Sequence, residues 1–448
     1  MQSIWFERAL LPQGWATRVR IRVDGAKIAA VESDTDPVPE DDRYDVGLPG
    51  LPNLHSHCFQ RAMAGLAETP GSGGRDDFWS WRETMYGLVA TLTPEDINDI
   101  AAMAFVEMLE AGFTRVGEFH YLHHDADGRG YAEPARMAAA IAAASADADI
   151  ALTLLPVFYA HAGFGGTPPS ERQRRFVNSL DSFARLRDAS GQALKGLDDA
   201  VLGVAPHSLR AVTPQQFSAL IALAPDGPIH IHVAEQLGEV DACVAWSGRR
   251  PVEWLMNNAP VDARWCLVHA THVEPDELAA IAASHCVVGL CPITEANLGD
   301  GLFPVGALFD ASGRFGVGSD SNVRIDAAEE LRLLEYGQRL TLRQRNVLAR
   351  DGQSTGRTLF SAALHGGAQA LGTDDAALTS GAPADIVAFA CPDVMGSGDT
   401  LLDHWIFARG DIHSVWRAGR QVVRDGRHIR RSQIADRYRR TIRRLRSS

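Results

Sequence analysis

The feature that most constrains this chain is a repeating alternation. Short apolar, β-branched runs end near 51–55, 115–119, 152–157, 201–205, 229–233, 265–269, 286–290 and 315–318. Helix-like segments lie between them, including 95–111, 133–146, 171–187, 214–224, 275–284 and 327–349. Thr93-Pro94 reads as a helix start, with a Thr N-cap and Pro at the first helical position. Eight strands, each followed by helix, predict an α/β fold of the (β/α)8 TIM-barrel type over 49–372. Residues 1–48 and 373–426 instead read as short strands and turns, such as Thr17 to Val23 and the run VWRAGRQVVRDG. Together the two ends predict one small β-sandwich domain beside the barrel.

The stretch 427–448 stands apart. Between Arg427 and Arg446 it carries nine arginines and one acid, Asp436, in a chain whose net charge is −13. A basic terminal helix lying on the acidic body is expected. Nucleic acid is not an expected partner, because phosphate binding needs a basic face that the bulk of the chain lacks. Nor is a membrane. The most apolar stretch, 137–158, is interrupted by Asp147 and Asp149, each costly at a bilayer centre. The start, MQSIWFERALL, has Glu7 and lacks the basic onset and apolar run of a signal peptide. Six cysteines without a CxxC pair suit a reduced, cytoplasmic protein.

The strongest chemical signal is PNLHSHCFQRAMAG. His55 and His57 lie two apart on the first barrel strand, so both imidazoles face one side. Alone, an HxH pair is equally compatible with a half-buried strand. The fifth strand, PIHIHVAEQ, adds His232 near its C-terminal end and Glu235 three residues later; His230, two residues deeper, reads as a core histidine. The sixth ends CLVHATH, offering His269 with His272 further out, and the eighth ends GVGSDSN, offering Asp320. A buried aspartate after small residues is costly unless paired with a cation. Four strands thus deliver His or Asp to the rim where barrel enzymes do chemistry, which points to a divalent metal site.

This combination resembles the amidohydrolase superfamily, specifically its mononuclear deaminase branch, over nearly the whole chain. Binuclear members carry a carboxylated lysine at the end of strand four. Here that strand ends VAPHS, and the chain has only Lys27 and Lys195, so one metal is implied. The resemblance implies His55, His57, His232 and Asp320 as ligands of one divalent ion, Zn²⁺ or alternatively Fe²⁺. It further implies Asp320 as acceptor of the proton from a metal-activated water and Glu235 as proton shuttle to the imine nitrogen and departing ammonia. His269 would steady the oxyanion-like intermediate. An acidic helix start is the alternative reading of Glu235.

Within the superfamily, HSHCFQRAMAG, DDFWSWRETMY, EFHYLHH and APHSLR are most similar to the formimidoylglutamate deiminase family. The resemblance implies hydrolysis of N-formimino-L-glutamate, a step of histidine degradation, to N-formyl-L-glutamate and ammonia. Gln60, Arg82, Tyr121, His207 and Arg210 lie in loops after strands one, two and four and suit a small dicarboxylate. Arg61 is adjacent and expected to face solvent. Phe78, Trp79 and Trp81 form either a lid or rim packing, with packing expected; His120, His123 and His124 form either a second metal site or a hydrogen-bonded loop, with the loop expected. The competing readings are deamination of a nucleobase or other aminoheterocycle, and a barrel that has lost catalysis and serves as a scaffold. A homodimer is the expected assembly.

Overall fold

The computed structural model describes residues 2–69, 78–350, 352–374, 377–391 and 396–447. Within the 373–426 stretch, 375–376 and 392–395 lie outside the described residues. The barrel strands are Leu51–Ser56, Phe113–His120, Ala151–Phe158, the pair Val201–Leu202 and Ala205–Pro206, Ile229–Val233, Trp265–His269, Val287–Leu290 and Arg314–Val317. They form two parallel arcs, strands one to four and five to eight. Parallel bridges Val204–Ile229 and Ser208–His232 join the arcs at one seam, and Ser56–Asp320 joins them at the other. The result is a closed (β/α)8 barrel. Its third, fifth and sixth strands are buried along their length, which is why they read as continuous apolar runs rather than alternating ones.

The fourth strand is broken at Gly203. A Cβ there would lie 2.5 Å from the Pro228 carbonyl oxygen, so only glycine lets the fourth strand approach the start of the fifth. Helices follow the strands on the outside. Pro94–Glu110 begins with a full capping box between Thr93 and Asp96, and Pro275–Ser284 matches its expected span.

The helix expected over 214–224 ends at Ile221, and two others depart further from their expected spans. Over 171–187 the chain makes one 3-10 turn, Glu171–Gln173, and the helix Leu180–Ala193 starts only after the Ser179 cap. The intervening Arg175 is buried, donating to the carbonyls of His124 (2.9 Å) and Leu92 (2.8 Å), which a continuous helix would prevent. The helix expected over 327–349 ends at Leu342, with Arg343 left-handed at φ +56°. Beyond it the buried Glu335 carboxylate captures the N–H groups of Val347 and Leu348, both at 3.0 Å. A side chain thus supplies the acceptors that further helix would have supplied.

The β domain is built from both ends. Eight strands run in the spatial order Arg427–His428, Arg420–Arg424, Ile412–Arg417, Ile386–Phe389, Asp42–Pro49, Gln2–Leu11, Gly14–Asp24, Lys27–Glu32. The two chain ends meet where Asp42–Pro49 pairs antiparallel with Ile386–Phe389. Lys27, on the far edge strand, bridges Pro383, and Val23 and Ile28 share a buried cluster with Ile386 and Trp416. The sheet therefore folds over itself around that cluster, as a sandwich does.

The basic terminal helix, Arg431–Ser447, docks on Pro94–Glu110 and Arg136–Ala148. Arg437 bridges Asp99 (3.3 Å) and Asp147 (2.6 Å), Arg444 pairs with Asp96, and Arg431 with Glu110. Ile434 is its apolar anchor. No described helix is long and apolar enough to cross a membrane.

Candidate metal centre and active site

The first strand's HxH places both imidazoles inside the barrel mouth, where the fifth and eighth strands end. His55 Nε2 lies 3.2 Å from His57 Nε2 and 3.1 Å from His232 Nε2. Asp320 Oδ1 lies 3.4 Å from His55 Nε2 and 3.3 Å from His57 Nε2. All four residues are buried. Their positions depend on small residues: a Cβ on Gly318 would meet His55 backbone atoms at 2.7 Å, so only glycine lets the eighth strand reach the first. Asp320 itself is left-handed, φ +45°, and its backbone is held from both sides. Its N–H donates to the His55 carbonyl (3.0 Å), and its carbonyl accepts from the His57 N–H (2.9 Å).

The orientation of the rings tests whether a cation fits. His57 Nδ1–H donates to the Phe119 carbonyl at 2.9 Å and His232 Nδ1–H to the His207 carbonyl at 3.1 Å. Each of these two rings therefore turns an Nε2 lone pair toward the shared centre. Burial holds all three histidines below the usual imidazole pKa, His55 at about 3, so they are neutral and able to ligate. Donor atoms that share one ion at about 2.0–2.1 Å lie roughly 2.9–4.2 Å apart, depending on the angle between them. The observed 3.1–3.4 Å contacts match that spacing. Two fixed lone pairs converging on His55 Nε2 beside a carboxylate are unfavourable without a cation, and His55 Nδ1 is buried without a partner that would fix its proton there. The donor set fits a single divalent metal.

Above this centre lie His269 and Glu235. His269 Nε2 is 3.8 Å from both Glu235 Oε1 and Asp320 Oδ2, and its Nδ1 is 3.1 Å from Glu295 Oε1. Burial lowers the His269 pKa, but the carboxylates of Glu235, Glu295 and Asp320 outweigh it, so the net shift is upward. Burial also raises the Glu235 carboxyl, moving it toward the range useful for proton transfer. His269, Ala270 and Ala234 are all left-handed (φ +65°, +47° and +53°), so backbone strain is concentrated at this rim.

One cavity brings the remaining candidates together. Gln60, Arg82, Tyr121, His207 and Arg210 line it with His57, His232, Glu235, His269 and Asp320. Gln60 Nε2 donates to the Tyr121 hydroxyl at 3.0 Å. Arg82 Nε donates to the Tyr86 hydroxyl at 2.8 Å, and its guanidinium sits over the rings of Trp79 (5.2 Å) and Tyr86 (5.1 Å). Arg210 lies 6.0 Å over the other reach of Trp79. Among the described residues no carboxylate forms an ion pair with Arg82 or Arg210, and Arg210 Nε is buried without a partner.

Several residues fall where the sequence placed them. His230 donates to the Ala370 carbonyl at 2.7 Å beneath the site. His123 and His124 donate to the carbonyls of Val157 and Val177, both at 2.8 Å, as a hydrogen-bonded loop. Arg61 does not face solvent: it pairs with Glu107 at 2.6 Å and donates to the carbonyls of Asn322 and Val323. Phe78 and Trp81 line the cavity rather than only packing on the rim, whereas Trp79 is 45% exposed; Asp76 and Asp77 of the same motif lie outside the described residues.

Sequence reasoning missed Tyr86, Tyr159 and Phe176 in the wall, Glu295 behind His269, and the Asn53–Ser319–Asn322 network behind the ligands. Asn322 Nδ2 donates to Ser56 Oγ and to the carbonyls of His57 and Asp320, all at 3.1 Å. Its position in SDSN, two after Asp320, was the available signal.

Comparison with known proteins agrees with this geometry. The model of the amidohydrolase family matches residues 46–422, and that of the N-terminal domain of formimidoylglutamate deiminase HutF matches 1–45. The chain is 53% identical to the formimidoylglutamate deiminase of Pseudomonas aeruginosa over 437 residues, 96% of each chain. It is similar to the crystal structure of an amidohydrolase from Brucella melitensis, with TM-score 0.97 and 51% identity over 99% of this chain and 100% of that one. An adenosine deaminase from Xanthomonas campestris, solved with bound zinc, shares the fold at TM-score 0.82 and 22% identity, covering 100% and 99% of the two chains. The chain belongs to the amidohydrolase family and, within it, to the formimidoylglutamate deiminase family.

Proposed function

We propose that this chain hydrolyses N-formimino-L-glutamate to N-formyl-L-glutamate and ammonia. The observation that carries this reading is the pair of guanidiniums, Arg82 and Arg210, which line the cavity that holds the His/Asp centre and form no ion pair with a carboxylate among the described residues. Two fixed cations in a largely closed site call for an anionic ligand. Deamination of an aminoheterocycle could use the aromatic wall, but would bring no anion to either guanidinium.

In this reading His55, His57, His232 and Asp320 hold one divalent metal, zinc. When bound, such an ion supplies Lewis acidity and lowers the pKa of water toward about 7. Asp320 accepts the proton of the attacking water as the new C–O bond forms at the formimino carbon. Glu235 protonates the imine nitrogen, regains a proton from the new hydroxyl group and passes it to the same nitrogen as the C=O bond forms, the C–N bond breaks and ammonia leaves; the proton held by Asp320 then returns to Glu235. His269 donates from Nε2 to the developing oxyanion. Arg82 and Arg210 each take one carboxylate, and Gln60, Tyr121 and His207 add single hydrogen bonds.

The same reading keeps the division into β-domain halves 1–48 and 373–426, barrel 49–372 and basic tail 427–448, although the tail's first residues, Arg427–His428, add the edge strand of the sheet before its helix begins. It places the protein in the cytoplasm as a homodimer; its six cysteines, all buried and none in a disulfide among the described residues, suit a reducing compartment. Ammonia release from N-formimino-L-glutamate, N-formimino-L-aspartate and a panel of aminopurines tests the function. Preference for the glutamate compound is expected. Turnover of an aminopurine with none of the formimino compounds would overturn the reading.

A further inference from the structure

Glu295 occupies the first turn of the helix Pro292–Leu298, directly after the seventh barrel strand, and is buried. One oxygen, Oε1, accepts two hydrogen bonds: from His269 Nδ1–H at 3.1 Å and from the Cys291 backbone N–H at 2.9 Å. Glu295 does not line the cavity, whereas His269 does. Its contact with the chemistry is therefore through the imidazole alone.

The imidazole needs such a partner. His269 and Ala270 are consecutive left-handed residues, so the backbone that carries the ring is strained. The ring torsion of histidine is broad and close to two-fold, and which nitrogen carries the proton depends on what the other one meets. An acceptor at Nδ1 settles both questions: it fixes the ring plane and holds the Nδ1 proton of a doubly protonated ring, leaving Nε2–H to donate into the cavity. Nε2 then faces Glu235 and Asp320 at 3.8 Å.

We infer that Glu295 is a positioning residue for His269, holding the imidazole so that Nε2 addresses the reacting end of the cavity. This rests on the function proposed above. The backbone of Cys291 adds a specific consequence. Its N–H requires an acceptor at the position of Glu295 Oε1, so a glutamine placed there would turn its carbonyl oxygen, not its amino group, toward Cys291 and His269. Glu295→Gln should therefore retain the bonded Nδ1–H and the ring orientation. Glu295→Leu, close in size, removes the acceptor altogether. The competing role is purely structural: a carboxylate that caps the helix start through the Cys291 N–H.

The experiment combines a spectroscopic readout with a mutant cycle on the metal-loaded enzyme. The hydrogen-bonded Nδ1 proton of His269 should give a downfield imidazole resonance in the wild type, absent from His269→Asn and from Glu295→Leu and present in Glu295→Gln. Glu295→Leu should lower kcat about 10–100-fold, the scale for partners that orient a catalytic histidine, with little change in KM. Glu295→Gln should lose less than about fivefold. In the His269→Asn background, Glu295→Leu should cost almost nothing further, because its effect runs through the missing ring. Metal content should remain one per chain in each variant. Persistence of the resonance in Glu295→Leu, an equal loss in the His269→Asn background, or equal damage by Gln and Leu would each overturn the inference. If Glu295→Leu does not fold, the resonance and rate of Glu295→Gln decide. Failure of the wild type to act on N-formimino-L-glutamate would sink the proposed function, and the resonance would still test the Glu295–His269 link.

Discussion

His57 and Asp320 are tied through their backbones as well as their side chains: the His57 N–H donates to the Asp320 carbonyl at 2.9 Å while Nε2 lies 3.3 Å from Oδ1. Closing the barrel between strands eight and one is therefore the same event as bringing together three of the four ligand residues, His55, His57 and Asp320. Metal binding and barrel closure should be coupled, since an ion that binds only the closed form stabilises it by mass action. Chelation is expected to lower the melting temperature of the wild type. Asp320→Ala should lose metal and show no chelator-dependent shift. Elemental analysis should give one divalent metal per wild-type chain; two, or none after loading with zinc, would contradict the proposed centre.

Glu235 should be separable from the metal. Its carboxyl is raised by burial and stands 3.8 Å from His269 Nε2, outside the cluster of four ligand residues. Glu235→Gln is expected to fold, to keep its metal and to lose about 10²–10⁴ in turnover, the scale of general acid–base contributions. His269→Asn should likewise keep metal and lose turnover. Near-normal rates for Glu235→Gln would return this residue to helix capping.

The ligand residues and the proton-transfer pair were legible in the sequence because each sits at the end of a strand, where local spacing dictates direction. HxH on one strand and GSD after small residues carry that information within a few positions. Glu295, Tyr159 and the Asn53–Ser319 pair were not legible, because their meaning comes from partners 26 to 266 residues away. The same holds for Arg61, whose solvent-facing look vanishes only once Glu107 is placed against it. The segment 171–187 failed for a related reason: a buried Arg175 that spends its donors on the carbonyls of distant loops overrides helical propensity.

His230 makes stability depend on pH. Burial holds its pKa at about 4, against 6.5 when unfolded, while its Nε2–H is satisfied by the Ala370 carbonyl. The folded state disfavours the charged form, so this stability is fully present above pH 6.5. It is lost as pH falls from 6.5 toward 4, because the unfolded chain takes up the proton first. Relative to His230→Gln, which can keep the carbonyl bond but cannot titrate, the wild type should lose about 2 kcal/mol more between pH 7.5 and pH 5. Denaturant unfolding of both proteins across that range is the check. Parallel curves would show that His230 is not a buried neutral imidazole.

Arg82 and Arg210 should set substrate choice. Arg82 is held in advance by the Tyr86 hydroxyl and by the rings on either side of it, so little freedom is lost when a carboxylate arrives. Arg210 has a buried Nε–H without a partner, a donor that a bound carboxylate would satisfy. Truncating one partner of a buried charge pair costs about 2–5 kcal/mol, so Arg82→Met and Arg210→Met should each lower kcat/KM at least about 30-fold. Lysine should rescue poorly, because it keeps the charge but lacks the planar fork. The carboxylates lie away from the formimino carbon, so misplacing them should lower kcat as well as raise KM. An analogue lacking one carboxylate separates binding from scaffolding. Each variant should lose much less on the analogue that lacks the carboxylate its arginine would have bound. Equal losses on the intact substrate and on both monocarboxylate analogues would make the arginines structural, and would remove the physical support for a dicarboxylate substrate.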